Sequence, residues 1–159
     1  MKQIWAPWRI DYIQGEKDDK CIFCAAAEKD GNESLLLFKG SVSVVMLNKY
    51  PYNNGHIMIA PVRHVARLED ITPEEGFDIF RLVRHSSAVL TTLFKPDGLN
   101  IGMNVGRAAG AGIDDHIHMH VVPRWNGDVN FMPVLADTKV MPEYLASTFE
   151  KMKPHFEHL

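Results

Sequence analysis

Polar and apolar positions alternate most strictly in Asp114–Trp125 (DDHIHMHVVPRW), where His116, His118 and His120 interleave with Ile117, Met119 and Val121. Side chains at i, i+2 and i+4 of a strand share one face. One short strand here therefore presents three imidazoles in a row, roughly 7 Å apart along the backbone, with an apolar opposite face turned to a core. A helix would turn His118 to the side opposite His116 and His120, so the three could not share a face. Upstream, Ser34–Phe38 and Val42–Asn48 predict a hairpin around Lys39-Gly40-Ser41, and after the turn cluster Lys49–Gly55, His56–Pro61 predicts a third strand of an antiparallel meander. Thr72-Pro73-Glu74-Glu75 is a helix start, with Thr72 as cap, Pro73 in the first turn and Glu75 closing a capping box. Phe77, Phe80, Val83 and Leu90 recur near helical spacing, so one long helix runs to about Phe94 and stops at Pro96-Asp97-Gly98.

Leu99–Val105 alternates again, with Leu99, Ile101, Met103 and Val105 on one face and Asn100, Gly102 and Asn104 on the other. The small-residue loop Gly106–Asp115 is short enough to return the chain antiparallel, which sets Asn104 near the start of the histidine row. Ala25–Glu28 predicts a short helical turn ending near Asp30-Gly31-Asn32. Residues 130–140 (NFMPVLADTKV) are irregular, and Pro142–Lys153 predicts a last helix.

Composition narrows the class. A chain of 159 residues is one domain by default, residues 1–159, with an N-terminal arm 1–20, a core of about 21–128 and a C-terminal extension 129–159. Its formal charge of −3 gives no basic surface for nucleic acid. No apolar run reaches the roughly 18 residues of a membrane span, and the N-terminus lacks a signal-like apolar stretch, so the expectation is a cytoplasmic protein with no membrane partner. Trp5, Pro7, Trp8 and Tyr12 suggest a terminal arm that docks on the body or across a subunit boundary, or that fills core.

Three chemistries come from the residues themselves. A row of imidazoles can bind one catalytic metal, or one imidazole can attack an electrophile while its neighbours assist. Gly106, Gly110 and Gly112, with Ala108, Ala109 and Ala111, leave backbone N–H groups open to close approach by an anion such as phosphate. Cys21 and Cys24, the chain's two cysteines, form a C-x-x-C that is either a redox pair or half of a zinc site. No thioredoxin-like βαβ pattern surrounds it, which favours zinc. The imidazoles able to complete that site are His64, His56, His85 and the row itself.

The run H-I-H-M-H-V-V at 116–122 matches the histidine-triad motif, in which three histidines alternate with apolar residues. Its continuation P-R-W-N-G-D, and the upstream V-M-L-N-K-Y-P-Y-N-N-G-H-I-M-I-A-P-V-R-H, resemble the fragile-histidine-triad branch of that superfamily. W-A-P-W-R, the CxxC and N-F-M-P-V resemble a bacterial and archaeal subgroup, some of whose members split diadenosine tetraphosphate by hydrolysis or phosphorolysis. The resemblance implies an α+β fold: a half-barrel antiparallel sheet with one long helix and a C-terminal helix, dimerised as a homodimer. It implies that His118 attacks the α-phosphorus of a purine nucleotide and carries the nucleotidyl group, that His120 contacts phosphate, and that His116 holds the site or completes the zinc. It further implies that Asn48 binds ribose hydroxyls, Met46 and Met58 flank the base, Asn104 reaches a phosphate or bridging oxygen, and the Ala111, Gly112 and Ile113 backbone donates to phosphate. Cys21, Cys24, His64 and His116 would be the zinc ligands. Many relatives carry Gln then Ser or Thr in the loop, where this chain has Ala111-Gly112-Ile113 and one extra residue before His116. Side-chain donors to phosphate are therefore missing there. The implied activity is nucleotidyl hydrolysis or transfer on dinucleoside polyphosphates. The alternatives are a nucleoside phosphoramidate hydrolase, a metal-dependent hydrolase, and a low-turnover nucleotide-binding sensor or adaptor.

Overall fold

The computed structural model describes residues 21–28, 35–128 and 140–159. In chain order these form α1 (Ile22–Glu28), β1 (Leu36–Lys39), β2 (Ser43–Leu47), β3 (Ile57–Pro61), α2 (Pro73–Phe94), β4 (Gly98–Met103), β5 (Met119–Arg124) and α3 (Leu145–Met152). The strands make one antiparallel sheet in the order β1-β2-β3-β5-β4. This is the expected α+β architecture, with the long helix between β3 and β4. The aromatic arm at 1–20, the 29–34 turn and the N-F-M-P-V segment lie outside the described residues.

Every residue of β2 and β3 is buried, because both faces of the sheet's centre are covered. Val45, Leu47, Ile57, Ile59 and Val121 meet Ile79, Leu82, Val83, Val89 and Leu90 of α2, with Phe149, Met152 and Phe156 closing the far end. On the other face, Val44, Met46, Met58 and Ala60 meet Phe23 and Ala26 of α1. The strand period of two thus separates a large core from a smaller one. The smaller one carries the site.

α2 begins as expected: the Thr72 hydroxyl accepts from the Glu75 N–H, and the Glu75 carboxylate accepts from the Thr72 N–H. Its buried stripe differs from the expected one. Phe77 and Phe80 are 76% and 63% exposed, and the core is reached by Ile79, Leu82, Val83, Val89 and Leu90. Apolar spacing located the helix but could not say which of two overlapping stripes faces the sheet. β4 is an edge strand, so Leu99 and Met103 pack on the core while Ile101 and Val105 stay exposed. The last helix starts at Leu145, three residues later than expected, and Lys153–Phe156 continues it as a 3₁₀ turn. α1 starts earlier than expected, at Ile22, and so includes Phe23 and Cys24.

Two devices fix the turn before β3. Gly55 adopts φ +75, and a Cβ there would come within 3.1 Å of Leu90 Cδ2, so a side chain would be strained on both counts. Asn53 Nδ2 donates to the Pro123 carbonyl (3.0 Å) and to Asp128 Oδ2 (2.7 Å), while Asp128 also accepts from Arg124 and from the Trp125 N–H. The turn is thereby tied to the end of β5, which fixes where His56 enters the sheet.

Candidate active site and metal centre

β5 begins at Met119, so His120 is the strand's own imidazole, while His116 and His118 stand on the irregular chain leading into it. The expected uninterrupted three-histidine strand is corrected in this respect. The Ile117 N–H turns away from β3 to donate to the Val65 carbonyl at 2.7 Å, which ends the ladder there. His118 and His120 still meet, with ring centroids 4.7 Å apart and edge to face. His116 points elsewhere.

The register builds the rest of the row. Met46 pairs with Met58, Met58 with His120, and His120 with Gly102, so these side chains share the α1 face of the sheet. Met103 pairs with Met119, and continuing that register by one residue sets Asn104 opposite His118. Asn48 follows β2; its Oδ1 accepts from the Tyr50 N–H (2.8 Å) and its Nδ2 lies 3.3 Å from His56 Nδ1. Gly106 and Gly110 both take positive φ, and the Arg107–Asp114 pair at 2.8 Å closes the loop that carries Ala111, Gly112 and Ile113. A Cβ on Gly110 would lie 4.0 Å from Asn104 Nδ2, so the loop comes back onto Asn104. Within this loop the Ala111 N–H is aimed at the Gly106 carbonyl (3.4 Å), and the Ile113 side chain packs on the smaller core.

Hydrogen bonds determine the tautomers. The Tyr52 N–H donates to His56 Nδ1 at 3.0 Å, so the proton of neutral His56 sits on Nε2. His56 Nε2–H then donates to His120 Nδ1 at 2.8 Å, which leaves the proton of neutral His120 on Nε2. That Nε2 is buried with no partner among the described residues, a donor without an acceptor. His118 is set the opposite way: its Nδ1–H donates to the His116 carbonyl at 2.8 Å, and its lone pair is on Nε2. Burial pushes His118 below the usual imidazole range. Burial first, and the neighbouring His118 second, bring His120 down to about 4. Both rings are neutral at pH 7, one a nucleophile in form and the other a donor.

Cys21, Cys24, His64 and His116 converge, with all four ligand atoms within 4.8 Å of one another. His116 Nδ1 is 3.1 Å from Cys21 Sγ and 3.7 Å from Cys24 Sγ, and His64 Nδ1 is 3.3 Å from Cys24 Sγ. Tetrahedral zinc with ordinary Zn–S and Zn–N bonds sets such S···N edges at roughly 3.6 Å. The far nitrogens also fit: His116 Nε2–H donates to the Pro61 carbonyl (2.9 Å), and His64 Nε2 lies 3.9 Å from Asp115 Oδ2. Burial, then the neighbouring Cys21, raise the Cys24 thiol to about 11, so that this thiol resists ionising until a cation arrives. Of the other imidazoles considered for this site, His56 is engaged with His120 and His85 with the His155 carbonyl.

Sequence reasoning missed three residues. Phe23, inside the CxxC, is fully buried against the rings of His118 and His116. The sequence marks His56 only as a candidate metal ligand, although its position has the same parity as Met58. Tyr52 lies over His120, with centroids 5.5 Å apart and rings stacked; nothing in its local pattern marks it.

The fold and this row of histidines are those of histidine-triad proteins, and the chain belongs to the HIT domain family, which matches residues 29–127. Over 157 residues it is 33% identical to AP-4-A phosphorylase of Mycobacterium tuberculosis, covering 93% of this chain and 80% of that protein. It is 35% identical over 95 residues to the asymmetrical bis(5'-nucleosyl)-tetraphosphatase of Schizosaccharomyces pombe, covering 60% of this chain and 52% of that one. Among solved structures, a zinc-bound histidine triad family protein from Mycobacterium smegmatis superposes with a TM-score of 0.68 at 26% identity, covering 86% of this chain and 92% of that one.

Proposed function

We propose that this protein is a HIT-family nucleotide hydrolase or nucleotidyltransferase that cleaves dinucleoside polyphosphates, diadenosine tetraphosphate above all. The observation that carries the reading is the opposite setting of two adjacent neutral imidazoles: His118 offers a lone pair on Nε2, and His120 offers an unpartnered N–H. His118 Nε2 attacks the α-phosphorus. The P–O bond to the leaving nucleoside polyphosphate breaks, its electron pair departs with that oxygen, and the nucleotidyl group stays on nitrogen. His120 Nε2–H donates to a phosphoryl oxygen whose charge grows as the bond forms. Water or phosphate then attacks phosphorus, the P–N bond breaks, and neutral His118 returns. A neutral imidazole needs no base to remove a proton first, so positioning and charge stabilisation carry the reaction.

Substrate contacts follow the row. Met46 and Met58, on the same face as His120, flank a purine. Asn48 Oδ1 has a second lone pair beyond the one Tyr50 takes, available to a ribose hydroxyl. Asn104 and the backbone N–H groups of Gly112 and Ile113 serve the phosphates on the far side of His118, while the Ala111 N–H is taken by the Gly106 carbonyl. Cys21, Cys24, His64 and His116 hold zinc, which supplies a rigid cross-link between α1 and the chain entering β5. The homodimer reading is supported by the exposed Phe77 and Phe80 on α2 and Ile101 and Val105 at the sheet's edge, apolar surface left uncovered among the described residues. Among the described residues no helix is long and apolar enough to cross a membrane.

The test is product analysis with trapping. Mixing with diadenosine tetraphosphate and quenching in base yields an acid-labile AMP adduct on His118, and turnover gives ADP plus ATP in phosphate but AMP plus ATP without it. Near-normal turnover by His118→Ala overturns the assignment.

A further inference from the structure

We propose that Phe23 is a positioning residue for His118, holding the plane of its imidazole through the turn clasped by Cys21, Cys24, His64 and His116. The proposal rests on the reading of His118 as nucleophile.

Phe23 lies between the two cysteines and is fully buried. Its ring centroid is 4.9 Å from that of His118, with the planes 36° apart, and 5.1 Å from that of His116. The His120 ring meets the same His118 ring edge to face, with centroids 4.7 Å apart. The His118 imidazole thus packs against both an aromatic wall and the neighbouring imidazole.

This wall matters because the remaining restraint is weak. Rotating His118 about its Cβ–Cγ bond, out of its present plane, would carry Nδ1 away from the His116 carbonyl, and Nε2 away from its present position. A single hydrogen bond is a modest restraint on that rotation by itself. Packing against Phe23 opposes that rotation, because a close-packed interior leaves little room for a ring to tilt out of its plane. A nucleophile held only by its hydrogen bond would spend part of its time misaligned, and misplacement of about 1 Å can cost a hundredfold in rate.

The clasp explains how Phe23 is kept there. α1 has seven residues, too short to persist without tertiary support. Cys21 and Cys24 bracket Phe23 and converge on His64 and His116, and Ala26 adds packing against the smaller core. Whatever closes the four-donor cluster therefore fixes the ring that fixes His118. The same segment serves metal and nucleophile.

The experiment uses the full chain with one zinc per chain, verified by metal analysis, and ¹⁵N-labelled histidine. Phe23→Ala and Phe23→Leu are compared with the parent by ¹⁵N ring shifts without substrate, with the His118 signals assigned by their loss in His118→Asn. Kinetic constants for diadenosine tetraphosphate are measured in parallel. The parent should show His118 as a single Nδ1–H tautomer. Phe23→Ala should move those signals toward a mixture and lower kcat about tenfold or more, with KM within about twofold. Phe23→Leu, which fills the space without a flat face, should melt near the parent and fall between the two, and it decides the matter if the alanine variant does not fold. Parent-like ring signals and kcat in Phe23→Leu, or loss of zinc from both variants, would overturn the proposal. Shifted ring signals alongside an active His118→Ala enzyme would instead keep the hold on the ring and remove His118 as nucleophile.

Discussion

His56 Nε2 and His120 Nδ1 are joined by a buried 2.8 Å hydrogen bond, and this bond decides which nitrogen of His120 carries the proton. The Tyr52 N–H on the far side of His56 makes the assignment directional. Replacing His56 by Phe removes the donor, frees His120 to take the other tautomer and leaves its Nε2 without a proton for phosphate. We expect kcat to fall about tenfold to a hundredfold with little change in KM. His56→Gln, which can still donate, should recover part of the loss. Steady-state kinetics on diadenosine tetraphosphate check this; equal kcat in His56→Phe and parent would remove His56 from the mechanism.

Acid should destabilise the fold through the same rings. An unfolded histidine titrates near 6.5, whereas folded His120 titrates at about 4. Between those values the unfolded chain binds a proton that the folded chain refuses, so stability falls as pH drops through that window and levels off below it. The ceiling for His120 is about 3 kcal/mol, and His116 and His118, lowered chiefly by burial, act in the same direction. Glu75, held down to about 2 chiefly by its hydrogen bonds from Arg63, adds a second loss toward still lower pH. Denaturant unfolding at stepped pH should show a shallower slope between pH 6.5 and 4 for His120→Gln than for the parent.

Removing metal should loosen α1 rather than abolish the sheet. Cys24→Ser, or chelation, deprives the four-donor cluster of a ligand or its ion, while the large core behind β2, β3 and α2 is untouched. The expected outcome is a lower melting temperature and faster amide exchange confined to 22–28 and the residues facing them. Zinc rebinding should release protons, since thiols such as Cys24 bind as thiolates. Uniform unfolding on chelation would show that the cluster supports the whole domain.

The exposed phenylalanines of α2 give a solution test. Phe77→Ser with Phe80→Ser removes two side chains that stand exposed among the described residues. Light scattering should report a dimer for the parent and a shift toward monomer for the double variant. Melting should change by no more than that dissociation accounts for. A parent that is monomeric at all concentrations refutes the homodimer.

The chain's own pattern was enough for the strands, the capped long helix, the histidine row and the cysteine pair, because each rests on local spacing: period two for a half-buried strand, Thr-Pro-Glu-Glu for a helix start, C-x-x-C for a soft ligand pair. Local spacing could not say that His116 leaves the row to meet Cys21, 95 positions earlier in the sequence, since the turn at Ile117 depends on a bond to Val65. Nor could it pick out Phe23, whose ring is functional only by what α1 is packed against, or give His56 its partner, which lies 64 positions away. Which stripe of α2 meets the sheet, and which nitrogen of each imidazole holds a proton, were likewise settled by packing across elements. Spacing along a chain fixes which residues can share a face. Only the folded arrangement of faces fixes what each one touches, because burial and hydrogen-bond partners are properties of neighbours that the sequence holds far apart.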